Sequence, residues 1–164
     1  MPGHDRITPN GKSFFKQIDE LKKLQVRVGF QQGAESNEGA DIVDIAAWNE
    51  MGTDYIPSRP FLRQSVDTNG AEIAATCKKL IVAIVKGQAT ARDALQRIGV
   101  MQKGLVEKTI KDGDFVPNAP ITVHGGWMTR NGRSFYVKGK QSEQPLIDTG
   151  RLRQSVNFVI TEKE

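Results

Sequence analysis

The run Leu146-Ile147-Asp148-Thr149-Gly150 is the sharpest candidate for chemistry in this sequence. Asp148 supplies a carboxylate within this run. Two such carboxylates sharing one proton can act as an acid and base pair on a peptide bond, and the second has to come from another lobe or another subunit. The same residues have a plainer use, in which Asp148 or Thr149 caps a short helix and Gly150 lies in the first turn before Leu152. Cys77, the single cysteine, falls on an apolar helical stripe, where a thiol is usually buried and inert. His124 precedes Gly125-Gly126, with no Ser, Cys or Asp pattern to enlist it as a general base. His4, His124 and Cys77 have no metal-ligand spacing, and the glycines form neither GxGxxG nor GxxxxGKS/T. No catalytic residue, metal ligand or cofactor site is assigned on these patterns, and no cofactor is expected.

A second constellation suits recognition better than catalysis. Ile56-Pro57-Ser58-Arg59-Pro60-Phe61-Leu62-Arg63 sets apolar anchors beside two guanidinium groups. The two prolines fix their own φ angles and disfavour α conformation at Ile56 and Arg59, so the segment reads as stiff and extended. Arg and aromatic side chains are enriched where protein surfaces meet, and Arg binds carboxylates through two parallel bonds. Two readings stand side by side, and both can hold at once: the segment docks a partner, or Phe61 and Leu62 plug the core while Arg59 and Arg63 pair with local acids such as Asp54 and Asp67.

The elements that must hold these groups follow from periodicity. Pro2, Gly3, Pro9, Asn10 and Gly11 favour turns, so residues 1–12 read as a flexible arm. Ser13 then caps a helix with Phe14, Ile18, Leu21 and Leu24 on one face, and Val26, Val28 and Phe30 alternate as a half-buried strand. Asp41 caps a helix bearing Ile42, Ile45, Ala46 and Asn49, which Gly52 ends. Ile73, Cys77, Leu80, Ile81 and Ile84 mark a longer helix broken at Gly87. Ala94, Ile98, Met101 and Leu105 mark another ending near Gly113, and the two should pack as a hairpin. Trp127 to Lys138 reads as two strands around Asn131-Gly132, a type I′ turn pair. Val156, Phe158 and Ile160 form a closing strand that can pair with the first. The expected class is α+β: a small antiparallel sheet packed against several helices, with a long helical hairpin and an inserted β-hairpin, in a single domain over residues 13–164.

Composition sets the outer bounds. The chain has 164 residues, 38% of them hydrophobic and 26% charged, enough to bury a core without disulfides or metals. The longest apolar run, Leu80 to Val85, is far short of the roughly 20 residues that cross a bilayer, and Met1 to Lys12 offer no apolar stretch for a secretory signal. The expected compartment is the cytoplasm. Net charge is +4, distributed as +1 over residues 1–40, −3 over 41–70, +4 over 71–112 and +2 over 113–164. The basic helices of 71–112 support an alternative reading as a DNA-binding accessory protein, but no aromatics for stacking stand among those basic residues.

The run Ile45-Ala46-Ala47-Trp48-Asn49-Glu50-Met51-Gly52-Thr53, followed by Ile56 to Arg63, resembles the AxxNExGT…IPxRPFLR signature of tailed-bacteriophage neck and tail-completion proteins. Pro145 to Val156 is similar to the PLIDTGxLRxSI stretch of the same family. The two occur in order, with the long helices between them. Met51 stands where Phe is usual and Ser58 where Ala is usual, and the hairpin around Asn131-Gly132 looks like an insertion. Asp148-Thr149-Gly150 also resembles the active-site turn of retroviral-type aspartic proteases. Those follow the triplet with a small residue, whereas Arg151-Leu152-Arg153 follows here.

The neck-protein resemblance implies a virion structural protein without catalysis at the head-tail junction, a homo-oligomeric ring around the DNA channel that helps join or complete the tail. The implied partners are copies of itself, the connector or head-completion protein, and the tail terminator or tail tube protein. Genome DNA would pass through the channel without sequence recognition, and no membrane is involved. On this reading Trp48, Arg59, Pro60, Phe61 and Arg63 are the candidate partner-binding residues, and Asp148, Thr149, Gly150 and Leu152 form a structural turn. The acidic 41–70 block and the basic 71–112 helices offer complementary patches for ring contacts. Residues 1–12 and the 127–138 hairpin are expected to order on assembly.

Overall fold

The structure is a computed structural model that describes residues 8–33 and 40–163. In chain order its elements are α1 (Pro9–Lys23), β1 (Leu24–Gly29), α2 (Ile42–Met51), α3 (Phe61–Val85), α4 (Ala91–Asp112), α5 (Pro120–His124), β2 (Gly126–Arg130), β3 (Arg133–Val137), α6 (Arg151–Gln154) and β4 (Asn157–Glu162). The fold is α+β. No helix among the described residues is long and apolar enough to cross a membrane. The stretch expected to form one domain comprises two compact units interleaved in sequence, one built from residues 8–29, 65–105 and 157–163, the other from 30–33, 40–64 and 106–156.

In the first unit, β1 and β4 pair antiparallel, with Leu24 opposite Glu162 and Gly29 opposite Asn157, as the two alternating patterns suggest. Helix α1 starts earlier than its sequence implies. Thr8 Oγ1 accepts the Gly11 N–H at 3.2 Å and Pro9 sits in the first turn, so Ser13 lies inside the helix and is not its cap. A proline at this position gives up no hydrogen bond and has a φ already suited to a helix. Residues 8–12 of the expected arm are therefore a helix cap and first turn, while residues 1–7 of that arm lie outside the described residues.

The core of this unit holds Leu80, Ile84, Ala89 and Ala94, with Phe14, Leu21, Ala83 and Ile98 packed against it. Gln102 Nε2 reaches Ser65 Oγ at 3.1 Å, so α3 and α4 run as the two arms of a hairpin. Thr90 and Asp93 cap α4 reciprocally, each side chain accepting the other's backbone N–H at 3.0 and 3.1 Å. The Ala91 N–H donates to Gln17 Oε1 at 2.6 Å, tying this helix start to α1. Two expectations change here. Helix α3 begins at Phe61 and bends at Asn69 (φ −111°, ψ 16°), where the weak helix formers Asp67 to Gly70 concealed its continuity. Ile81 of the expected buried stripe faces solvent at 51% exposure.

In the second unit, Asp41 Oδ1 accepts the Val43 N–H at 2.9 Å and Oδ2 accepts the Gly33 N–H at 3.0 Å. These backbone bonds hold the Asp41 carboxyl below its ordinary range. Helix α2 ends at Gly52, whose φ of 80° suits only a residue without a side chain. The buried residues here include Ile42, Ala46, Phe61, Val106, Ile110, Val123, Leu146, Leu152 and Val156. Phe30 meets Phe61 edge-on at 5.9 Å. Strands β2 and β3 form the expected hairpin, with Asn131 and Gly132 both at positive φ. Helix α5, which Pro120 opens, is too short to show a periodic pattern.

Candidate functional site

The two signature-like stretches meet within the second unit. A cavity of about 400 Å³ is lined by Ile45, Asn49, Ile56, Pro57 and Arg59 from the first stretch and by Leu146 and Asp148 to Leu152 from the second. Ile42, Tyr55, Asn118, Ala119, Thr122 and Lys140 complete its wall. Its lining includes the apolar residues Ile42, Ile45, Ile56, Pro57, Leu146 and Leu152, together with three cations, Arg59, Lys140 and Arg151, and one carboxylate, Asp148.

The frame of this cavity is a set of hydrogen bonds that fix the loop between α2 and α3. Thr53 Oγ1 accepts from the N–H groups of Tyr55 and Ile56 at 3.2 and 3.0 Å, turning the chain back after Gly52. Ser58 Oγ donates to the Glu50 carbonyl at 2.9 Å, and the Arg59 N–H donates to the Asn49 carbonyl at 2.6 Å, so the extended segment lies along the end of α2. Glu50 is buried at 9% exposure and closes the start of α3. Its Oε2 accepts from the Leu62 N–H at 2.8 Å, and Oε1 accepts from the Arg63 N–H at 3.1 Å and from Arg63 Nε at 3.2 Å. The first turn of a helix has unpaired N–H groups and a positive dipole end, and a carboxylate answers both.

Arg59 links the two stretches. Its side chain donates from Nε to the Val116 carbonyl at 2.9 Å, from Nη1 to Asn49 Oδ1 at 3.3 Å, and from Nη2 to the Pro117 carbonyl at 3.2 Å and Asn118 Oδ1 at 3.3 Å. Asn118 Nδ2 in turn donates to the carbonyls of Ser142, Glu143 and Gln144, at 3.4, 3.3 and 3.2 Å, just ahead of the second stretch. Among the described residues, every partner of the Arg59 guanidinium is a neutral oxygen. Burial lowers the pKa of Arg59 from its ordinary value, and the group remains a cation.

The structure sorts the candidate partner-binding residues. Phe61 is fully buried and Arg59 is 6% exposed, so neither presents its side chain to a partner. Phe61 fills the core at the start of α3, where Glu50 holds the N–H groups of the next two residues, and Arg59 serves as an internal clasp. The core reading expected both arginines to pair with local acids: Arg63 does so, with Glu50 rather than Asp54 or Asp67, whereas Arg59 binds the carbonyl and amide oxygens named above. Pro60 is half-buried. Trp48 remains at the surface at 43% exposure, as do Met51 and Tyr55, and Arg130 of the hairpin stacks over the Tyr55 ring at 3.9 Å.

The structural turn also differs in detail. Gly150, with φ 76°, occupies the N-cap position of α6 with no side-chain cap, so neither Asp148 nor Thr149 caps this helix. The left-handed backbone at Gly150 moves the helix start one residue past the expected cap, leaving Asp148 and Thr149 exposed on the cavity wall. Leu152 is buried. Asn118 escapes a reading of the sequence because a lone Asn in a loop carries no periodic or motif signal. Asn49 and Glu50 stand inside the first signature-like stretch, but their bonding roles depend on how the chain folds back. No protein-family model, curated protein or solved structure matches the chain.

Proposed function

We propose that this chain is a structural protein of a tailed-phage virion, a neck or tail-completion protein that oligomerises around the DNA channel at the head-tail junction. The observation that carries this reading is the convergence of both signature-like stretches on one cavity, linked through the Arg59–Asn118 clasp, with Glu50 closing the start of α3 after the same loop. In the first stretch Asn49, Glu50, Thr53, Ser58, Arg59 and Arg63 serve as braces. Such a design suits a surface of fixed shape that other subunits grip.

The partners are copies of itself, the connector or head-completion protein, and the tail terminator or tail tube protein. DNA passes through without base recognition, and the work is binding rather than bond cleavage. The protein acts in the virion after assembly in the host cytoplasm. Trp48, Met51 and Tyr55 are the exposed apolar groups of the first stretch and its loop, and large side chains of this kind anchor protein interfaces. Cryo-electron microscopy of intact particles tests the proposal. Density for this chain repeated around the neck axis is expected, and its absence from that position overturns the reading.

A further inference from the structure

We infer that the β2–β3 hairpin is a docking ribbon for single-stranded DNA, held by stacking of bases on exposed rings and by phosphate contacts to exposed cations. Every residue from Trp127 to Tyr136 is exposed. The register sets Trp127 opposite Tyr136 and Thr129 opposite Ser134 on one face, and Met128 opposite Phe135 and Arg130 opposite Arg133 on the other. Trp127 is 74% exposed and Tyr136 61%, and their rings meet edge-on at 5.8 Å. Aromatic side chains of this size ordinarily fill a core or an interface, so their display in water marks a contact surface.

Charge narrows the choice of occupant. From Phe115 to Ser142 the chain carries Arg130, Arg133, Lys138 and Lys140 and no Asp or Glu. Arg133 and Lys138 are exposed, and their side chains make no ion pair or hydrogen bond among the described residues. Arg130 lies over the Tyr55 ring at 3.9 Å, an uncharged partner that leaves its positive charge unneutralised. At about 3.4 Å per strand residue, Arg133 and Lys138 are about 17 Å apart with Phe135 and Tyr136 between them, a length of about five base steps.

A polyanion answers the cations, and one that also carries planar groups answers the rings. Stacking beside a cationic track is how sites for single strands of any sequence are built. The basic helices of 71–112 have the charge without the rings. A second copy of the hairpin would bring like charges together. A membrane fits poorly, because the apolar side chains divide between two faces and the tip, Arg130-Asn131-Gly132-Arg133, is cationic. Bases in a duplex are already stacked on one another. Thr129 Oγ1 and Ser134 Oγ bond each other at 2.8 Å and are engaged before a ribose 2′-OH arrives, which favours deoxyribose strands.

The inference rests on the hairpin alone and not on the assembly reading. Its test uses the full chain carrying Trp48→Phe, so that Trp127 is the sole tryptophan. The probe is oligothymidylate of about 12 nucleotides, within the span of single-strand sites. It should quench Trp127 saturably and bind at least about tenfold more tightly than its abasic counterpart, its duplex with oligoadenylate, polyglutamate, or vesicles of phosphatidylserine and phosphatidylcholine. Oligouridylate should bind no more tightly. Arg133→Gln and Lys138→Gln should each flatten the slope of log affinity against log salt by about 0.7. By anisotropy of a labelled strand, Tyr136→Ala should weaken binding at least about fivefold, while Tyr136→Phe, which keeps the ring, should stay within about twofold.

Equal affinity for the abasic strand or polyglutamate overturns the inference in favour of an acidic partner held by charge alone. Tighter binding of the duplex, oligouridylate or vesicles overturns it in favour of that occupant. An unquenched Trp127, or an unchanged salt slope in both Gln variants, overturns it as well.

Discussion

Glu50 should matter to stability as the closure of a helix and far less as half of an ion pair. Its carboxylate accepts two backbone N–H bonds in the first turn of α3 and one from Arg63 Nε. The Glu50 side chain is 12% exposed and that of Arg63 is 65% exposed, so water screens the ionic contact. Hydrogen bonds to a charged group contribute about 1.5–3 kcal/mol each, and a favourable helix dipole adds up to about 1 kcal/mol. Glu50→Gln keeps the shape and one acceptor oxygen but turns an amide N–H₂ toward backbone donors, so the expected loss is about 2–4 kcal/mol. Arg63→Gln removes the screened ionic contact together with the Nη2 bond to the Glu50 carbonyl at 3.3 Å, and should cost about 0.5–1.5 kcal/mol. Urea denaturation of both variants measures the two values, and thermal unfolding should fall by about 2–4 °C per kcal/mol for a chain of this size. Equal losses in the two variants would refute the assignment, because the ion pair would then outweigh the bonds to the helix N–H groups.

Phe61→Ala should cost about 3–5 kcal/mol because the ring is fully buried, whereas Trp48→Ala should change stability by less than about 0.5 kcal/mol and still impair assembly; chemical denaturation beside a particle-assembly assay separates the two. Gly99→Ala should destabilise by about 1–3 kcal/mol despite alanine's helix preference, since an added Cβ would lie 2.7 Å from Cγ of the Phe158 ring, and a stabilised variant would show that this helix-strand contact is loose. Backbone N–H groups hold the Asp41 carboxyl below its ordinary value of 3.8, so its contribution is fully present above that value and disappears as pH falls through the lower folded one. Asp41→Ala should remove this part of the acid dependence in a stability-against-pH series.

Much of the fold can be read from residue pattern, because its helices and strands follow local rules. Alternation in Val26–Val28 and Phe158–Ile160 is enough to suggest the β1–β4 pair, and Asn131-Gly132 marks the hairpin turn. The misplaced starts share one cause. Thr8-Pro9 opens a helix and Phe61 begins another, but each looks like loop sequence until its N–H groups find acceptors, and for α3 the acceptor is Glu50 from the preceding helix. The same limit applies to the site. Arg59 and Phe61 sit on a stiff segment that is laid down by bonds to Asn49 and Glu50 of the preceding helix, so their types alone leave docking and packing undecided. The cavity joins residues 42–59 to 118–152, a proximity that no local pattern encodes.

Whether this chain joins phage heads to tails is measured most directly by a joining reaction. DNA-filled heads and completed tails, both made in cells lacking this protein, are mixed with and without the purified chain and scored by infectivity and electron microscopy. Joined, infectious particles are expected only when the chain is added. Full joining in its absence, or no gain from adding the folded chain, would contradict the proposed role.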